Sequence, residues 1–283
     1  MARMVRAGAH LWPGGVPDYR TWRAAVLRAE EMGVDCVFGY DHFHLPAVRR
    51  TPTGIVLAAE QPDVTNFEAW TALASWAEIT TRAEIGLLVT GIGYRNPDLL
   101  ADMARTVDHI SAGRLILGVG AGWYEKDYRI YGYDYGTLRS RMDRFADGLR
   151  RIEHRLQHLR PPPVRPIPLL IGGAGVRRTL PLVARHADIW HCGLDPAAFR
   201  HRNALVKRYA AAVGRDDAGI ERATTWRTAA TADALLAEGV TLHVAELKPT
   251  GTGYDFTALA ELVAWRDANR EVPPSPRQQR RLA

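Results

Sequence analysis

The chain has 283 residues, of which 47% are hydrophobic and 24% charged, values typical of a globular protein with one large domain or two small ones. It has no run of 18 or more apolar residues, which excludes a membrane-spanning helix, and its amino terminus lacks the apolar segment of a signal peptide. The formal charge of +6 is dispersed rather than gathered into a basic stripe with aromatic residues, so no nucleic-acid partner is expected.

Short β-branched runs alternate with helical patterns along the chain, an order typical of a parallel α/β sheet. The predicted strands are residues 7–12, 36–40, 84–90, 115–120, 168–172, 189–192, 223–227 and 241–246. The predicted helices are residues 18–32, 66–79, 97–110, 139–159, 176–186, 196–213, 232–238 and 257–269. Eight strand–helix pairs in a chain of this length predict a single (β/α)8 TIM barrel domain over residues 1–270.

Two segments depart from this alternation. Residues 46–64 are too long for an ordinary connection and carry no strong periodicity; because they follow the second strand, we expect them to lie over the carboxyl rim as a lid. Residues 271–283 are rich in proline and arginine and are predicted to form a disordered basic tail.

Two glycine turns follow predicted strands. The first comprises Ala121, Gly122 and Trp123, and the second comprises Gly172, Gly173, Ala174 and Gly175. Glycine lets backbone N–H groups approach a ligand closely because no Cβ intervenes. The two turns therefore predict a shared ligand floor, and the helix after the second turn offers its amino terminus to an anion. Such turns are also ordinary tight connections, so they define no site by themselves.

The other residues at predicted strand ends are rich in imidazole and indole groups and poor in carboxylates. They include His10, Trp12, Asp41, His42, Val89, Thr90, Trp190 and His191. Flat aromatic walls with histidine suit a planar redox cofactor better than a hydrolytic carboxylate pair. His42 is a candidate general acid/base because imidazole titrates near neutrality. The alternatives are a surface histidine for His42, a turn former for Asp41, and core side chains for the tryptophans.

His42 and His44 also form a His-x-His motif, a pattern that barrel metallohydrolases use. His191, Asp188 and His243 are further potential ligands, but Asp188 opens its strand instead of ending it. Strands four to six also carry no lysine that could bridge two metal ions. The sequence therefore predicts no metal site.

The two cysteines, Cys36 and Cys192, each lie inside a predicted strand and form no ligand-like cluster. Isolated cysteines of this kind are typical of a reduced compartment. We therefore expect a cytoplasmic location.

Several motifs of the chain resemble the bacterial luciferase-like (β/α)8 oxidoreductases, and within them the branch that uses the deazaflavin coenzyme F420. The matching motifs are AEEMGVD at 29–35, DHF at 41–43, YRNP at 94–97, SAGRLILGVGAGW at 111–123 and IGGAG at 171–175. The similarity covers roughly residues 7–246. Asp-His-Phe after the second strand favours F420, because the flavin monooxygenases of the family more often show Glu-His-His there.

The resemblance implies an F420-dependent oxidoreductase that transfers a hydride between the deazaflavin and a small organic substrate. It implies His42 and Asp41 as catalytic residues, with Asp41 against the ring system. It places a non-prolyl cis peptide bulge at Leu88-Val89, behind the ring. The remaining implied cofactor contacts are Thr90, Ala121, Gly122, Trp123, Gly172, Gly173, Ala174, Gly175 and Trp190.

Alternatives within this fold are an FMN-dependent monooxygenase and a flavin-binding barrel without turnover. The sugar-phosphate dehydrogenases of the family carry a glutamate near the position of Trp123, so the indole implies a more apolar substrate. A homodimer is an additional expectation.

Overall fold

Strands and helices alternate through residues 4–51, 54–57 and 63–270, the parts of the chain that the computed structural model describes. The strands are β1 (Arg6–Leu11), β2 (Cys36–Gly39), β3 (Val48–Thr51), β4 (Gly54–Leu57), β5 (Glu84–Leu87), β6 (Thr90–Gly91), β7 (Leu115–Gly120), β8 (Leu169–Gly172), β9 (Ile189–His191), β10 (Glu221–Thr225) and β11 (Val240–Leu247). The α-helices are α1 (Tyr19–Glu31), α2 (Ala69–Ile79), α3 (Pro97–Ile110), α4 (Glu125–Ile130), α5 (Leu138–His158), α6 (Thr179–His186), α7 (Pro196–Ala212), α8 (Ala229–Leu236) and α9 (Thr257–Asn269).

The parallel strands close into a barrel. Their order is β5-β2-β1-β11-β10-β9-β8-β7, and β5 pairs with β7 to complete the ring. The short strand β6 also pairs with β7, so β5 and β6 act as two halves of one barrel strand. The result is a closed eight-stranded parallel barrel, which confirms the predicted luciferase-like TIM barrel.

Strand residues face two separate layers of the core. Alternate residues such as Phe38, Ile116 and Val244 fill the barrel interior, whereas their neighbours pack against the surrounding helices. Both faces of the barrel strands are buried, which explains the nearly continuous hydrophobic runs in the sequence. Where β5 and β7 approach most closely, a Cβ on Gly118 would lie 2.0 Å from the carbonyl oxygen of Leu87, so only glycine fits there.

Several helices begin where their capping residues predict. The Asp18 carboxylate accepts a hydrogen bond from the Thr21 N–H at 2.8 Å, and the Asn96 side chain accepts one from the Asp98 N–H at 2.9 Å. Pro97 occupies the first turn of α3, where its missing N–H costs nothing. The predicted bounds of α3 are therefore correct.

Other predicted boundaries are wrong, and the best explained is the start of the seventh barrel strand. The seventh barrel strand begins at Glu221 and not at residue 223, because the charges of Glu221 and Arg222 are neutralised within the fold. Glu221 pairs with Arg6 at 2.8 Å, and Arg222 pairs with Asp217 at 2.6 Å. Helix α6 begins at Thr179, three residues after the predicted position 176, and α8 begins at residue 229 instead of 232.

The segment after the second barrel strand contains regular structure that its sequence did not reveal. Strands β3 and β4 pair antiparallel, with Val48 opposite Leu57 and Thr51 opposite Gly54. Helix α4 was likewise not predicted. The predicted tail at 271–283 lies outside the described residues. Within the described ranges, no helix combines the length and apolar character needed to cross a membrane.

Candidate functional site

The carboxyl ends of the barrel strands bring most of the predicted site residues to one rim. These are Asp41 after β2, Leu88 and Val89 between β5 and β6, Ala121, Gly122 and Trp123 after β7, Gly172 at the end of β8, and His191 at the end of β9. The prediction that both glycine turns share one rim is therefore confirmed.

The floor of this rim is apolar. The peptide bond between Leu88 and Val89 is cis, as predicted. Both side chains pack against the barrel interior and remain partly exposed on the other side. A Cβ on Gly120 would lie 2.8 Å from Val89 Cγ2, and one on Gly172 would lie 3.2 Å from Val89 Cγ1. The glycines at these positions therefore leave room for the Val89 side chain.

Thr90, which follows this floor, directs its side chain away from the rim. It is fully buried, and its hydroxyl accepts a hydrogen bond from the Trp70 indole of α2 at 2.9 Å. The Thr90 side chain is therefore not available for the predicted cofactor contact, and a contact through its backbone stays a prediction.

Asp127, which no sequence motif marks, lies at the centre of the site. His42 Nδ1 is 2.9 Å from its Oδ2, and His44 Nδ1 is 2.8 Å from its Oδ1. The Tyr94 hydroxyl donates to Oδ2 at 2.8 Å, and the His44 backbone N–H donates to Oδ1 at 3.1 Å. One carboxylate with no exposed surface thus holds two histidines.

The charge state of Asp127 determines which nitrogen each histidine presents. Burial would raise the pKa of Asp127, but the hydrogen bonds from His42, His44 and Tyr94 outweigh it and hold that pKa below its ordinary value. The carboxylate is therefore ionised and accepts the Nδ1–H of both rings. Each imidazole then offers Nε2 to a ligand, as a lone pair when neutral.

The backbone beside His42 is fixed as well. The Asn66 side-chain amide donates to the His42 carbonyl at 2.8 Å, and the Tyr40 hydroxyl donates to the Asn66 oxygen at 3.1 Å. Tyr40 in turn accepts from the Gly14 N–H at 3.0 Å. Main-chain and side-chain contacts therefore hold His42 in one orientation.

Asp41 is buried below the rim, where it pairs with Arg95. Its two oxygens lie 2.5 and 3.0 Å from the guanidinium nitrogens, and Arg95 also contacts Glu68 at 2.6 Å. Burial raises the pKa of Asp41 to about 6, although Arg95 acts in the opposite direction. Both carboxylate oxygens of Asp41 are thus engaged by Arg95, and the catalytic role and ring contact implied for Asp41 stay predictions.

The two tryptophans predicted as cofactor contacts differ sharply in environment. Trp123 is 40% exposed, and its ring centroid lies 5.2 Å from that of His42, with the planes nearly perpendicular. Trp190 is fully buried and stacks on Phe199. A direct cofactor contact by Trp190 is therefore inconsistent with its position; instead, its indole donates to the Gly173 carbonyl at 2.7 Å and supports the second turn.

The second glycine turn is separated from its helix. Gly173 has a φ of +122°, a conformation that side-chain-bearing residues rarely adopt. Residues 176–178 form a turn before α6 begins at Thr179, and Arg178 is paired with Asp143. The predicted direct step from the glycines into a helix amino terminus is therefore wrong, although the backbone of the turn still lies on the rim.

The potential ligands of the metal alternative are not brought together. Asp188 precedes β9 and accepts a hydrogen bond from the Leu169 N–H, at the amino end of the barrel. His243 packs 4.7 Å from the Trp265 ring, outside the barrel wall. Among residues 4–51, 54–57 and 63–270, no group of three or more His, Cys, Asp or Glu side chains is placed to hold a metal ion.

The family model for luciferase-like monooxygenases matches residues 3–276. An uncharacterized protein of Mycobacterium tuberculosis is 27% identical over 210 residues, which are 68% of this chain and 74% of that protein.

Two solved structures share the fold at low sequence identity. An F420-dependent secondary alcohol dehydrogenase in complex with an F420-acetone adduct has a TM-score of 0.78 at 15% identity, covering 95% of this chain and all of that chain (100%). The monooxygenase RslO1 from Streptomyces bottropensis has a TM-score of 0.71 at 14% identity, covering 93% of this chain and 98% of that chain. Likenesses at this level of identity show the fold alone.

Proposed function

Within the luciferase-like monooxygenase family, to which this chain belongs, we propose that it is an F420-dependent oxidoreductase that transfers a hydride between the deazaflavin and a small organic substrate. The observation that carries the proposal is His42, anchored by the ionised Asp127, on the same rim as the partly exposed floor of Leu88 and Val89. A site of this kind combines a surface for a flat ring with one proton-transferring group.

The residues of the rim fit a flat ring system. Leu88 and Val89 offer an apolar surface that the barrel interior supports from below. Gly120 and Gly172 lie where a Cβ would crowd the Val89 side chain. Neither position therefore projects a side chain beside this surface. When bound, the deazaflavin supplies a ring carbon that accepts or returns a hydride.

His42 manages the proton that accompanies the hydride. Nδ1 is occupied by Asp127, so Nε2 accepts the proton of a substrate hydroxyl or returns it to a carbonyl. The Asp127 carboxylate stabilises the imidazolium that forms and keeps the ring oriented. Asp127 is therefore a positioning residue for His42.

The two glycine turns are proposed to hold the polar part of the cofactor. The backbone N–H groups of Ala121 and Gly122 lie on the rim beside the floor. The Gly173 N–H donates instead to the His191 carbonyl at 3.0 Å, and the φ of +122° that Gly173 adopts sets the course of the second turn. Backbone donors of this kind favour an anionic phosphate. Trp190 contributes indirectly, through its bond to the Gly173 carbonyl.

Equilibrium binding and single-turnover kinetics test this proposal. We expect F420 to bind more tightly than FMN in calorimetric titrations. We also expect His42→Ala to lower the rate of F420 reduction by a secondary alcohol by about 10²–10⁴-fold while F420 affinity is nearly kept. His201→Ala, at an exposed position on α7, is the matched control. Full turnover by His42→Ala would show that another group moves the proton.

An FMN-dependent monooxygenase is the second candidate, because the family model that matches residues 3–276 is that of the luciferase-like monooxygenases. Preferential FMN binding with oxygen consumption on addition of reduced FMN would establish it in place of the F420 reaction. Binding of either cofactor without turnover of any substrate would instead indicate a non-catalytic barrel.

A further inference from the structure

A large apolar surface is exposed directly beside the candidate acid/base. The Trp123 indole is 40% exposed and meets the His42 ring edge-on at 5.2 Å, with the Tyr124 ring 5.6 Å away. The Trp123 carbonyl accepts a hydrogen bond from the Tyr135 hydroxyl at 3.0 Å, which fixes the backbone. An exposed indole held in place beside a reactive group is suited to contact a ligand.

More aromatic rings adjoin the same histidine, since the Tyr124 ring lies 5.4 Å and the Tyr94 ring 6.4 Å from the His42 ring. Phe43, the next residue in the chain, packs 4.3 Å from Tyr131 and 4.8 Å from Tyr94. Tyr131 is 51% exposed and stacks on Tyr133. The surroundings of His42 are therefore dominated by flat apolar faces.

Two cations next to these aromatic residues in the sequence are already paired with carboxylates. Arg95, which follows Tyr94, pairs with Asp41 and Glu68. Lys126, which precedes Asp127, lies 2.6 Å from the Asp63 carboxylate. An anionic substrate would have to compete with these carboxylates for either cation, whereas an uncharged substrate would leave the pairs intact.

We propose that the substrate of this site is an uncharged alcohol, or the corresponding ketone, that carries an apolar ring, and that Trp123 is the specificity-determining residue along which this ring lies. The proposal rests on the proposed function. In the oxidative direction the carbinol C–H bond breaks, its electron pair and hydrogen pass as a hydride to the deazaflavin, and the hydroxyl proton passes to His42 Nε2, so that a carbonyl group remains.

A binding experiment tests the ligand class without turnover. The probes are acetophenone, 4-acetylbenzoate, which adds a carboxylate to the same ring, and 2-butanone, which lacks the ring. Dissociation constants are measured by ligand-observed NMR with and without F420. The variants are Trp123→Ala, Trp123→Phe and the control Leu138→Ala, at an exposed position on α5.

The expected result is a loss of affinity only for the probe that carries an uncharged ring. Acetophenone should bind about tenfold or more tightly than either other probe, and Trp123→Ala should weaken acetophenone about tenfold while leaving 2-butanone nearly unchanged. Trp123→Phe should stay within about threefold of the wild type because it keeps an aromatic face. In turnover with F420, Trp123→Ala should raise KM for 1-phenylethanol far more than it lowers kcat.

Three results would overturn the inference. They are binding of 4-acetylbenzoate as tight as or tighter than that of acetophenone, an equal loss of affinity for all three probes in Trp123→Ala, and no binding of acetophenone. Acetophenone binding that depends on Trp123, in a protein that does not bind F420, would refute the proposed function and leave the ligand class standing. F420 reduction by alcohols without any ring preference would refute the ligand class and leave the proposed function standing.

Discussion

Acid should destabilise the protein through one buried histidine that lies outside the candidate site. His243 on β11 is 1% exposed, its Nε2 has no hydrogen-bond partner, and its ring packs against Trp265 and Trp226. Burial lowers its pKa from 6.5 to about 4, while a backbone hydrogen bond at Val240 and the charge of Asp233 act in the opposite direction. The folded state therefore disfavours the imidazolium form.

The magnitude follows from the two pKa values. The folded pKa lies below the unfolded one, so the stabilisation from His243 is complete above pH 6.5 and is lost as the pH falls toward 4, where the loss levels off. The full difference corresponds to about 3 kcal/mol in the free energy of unfolding, of which about 2 kcal/mol is lost by pH 5. His243→Leu removes the titrating group and keeps an apolar side chain of similar size.

Urea denaturation at pH 7.5 and pH 5, followed by tryptophan fluorescence, measures this effect. Between the two pH values, the wild type should lose about 2 kcal/mol more stability than His243→Leu, and the exposed control His201→Leu should behave as the wild type. Protonation of Asp41 on acidification has the opposite effect on stability, because its pKa is raised to about 6 in the folded state and lies above the unfolded value. That contribution is common to all three proteins and cancels in the comparison. Equal acid losses in wild type and His243→Leu would refute the reasoning.

Further predictions concern the site itself. Asp127→Asn should lower turnover by about 10²–10⁴-fold, because an amide cannot accept from both imidazoles, and ¹⁵N NMR should show a changed tautomer of His42. An unchanged NMR signature would mean that Asp127 does not fix the ring. Gly173→Val should weaken F420 binding in calorimetry, because valine rarely adopts its φ of +122°; unchanged affinity would place the cofactor elsewhere. Arg95→Leu should cost about 3–5 kcal/mol in urea denaturation at pH 7.5, because it leaves the Asp41 charge buried without a partner. That loss should shrink at pH 5, where protonation removes the charge, and a loss independent of pH would argue against this cause.

The fold was predictable because its signals are local. Strand ends, capping residues and the count of strand–helix pairs lie within short windows, and the bounds of α3 and α9 are correct for that reason. The missed start of β10 depended on Arg6 and Asp217, the partners that make Glu221 and Arg222 compatible with burial. Arg6 lies 215 residues before Glu221 and leaves no local pattern, whereas Asp217 lies only five residues before Arg222.

The candidate site was predictable in position and less so in composition. Asp127 looks like a surface charge on a short helix, and only the packing of α4 brings it to a histidine 85 residues earlier. Trp190 was assignable in principle: successive strand residues face opposite layers, so with Ile189 in the barrel interior the indole must face the helices.

The glycine pattern shows how one motif combines packing and binding. Positions 118 and 120 require glycine because the Leu87 carbonyl and the Val89 side chain occupy the space that a Cβ would need. Both glycines would therefore be required even in a barrel that binds no ligand. Gly173 differs, since its constraint is a φ of +122° on an exposed turn. Substitutions at the first two glycines should therefore lower the free energy of unfolding, whereas a substitution at Gly173 should affect the cofactor affinity more than the stability. A Gly173 variant that unfolds as readily as a Gly118 variant would remove the reason to assign this turn to ligand binding.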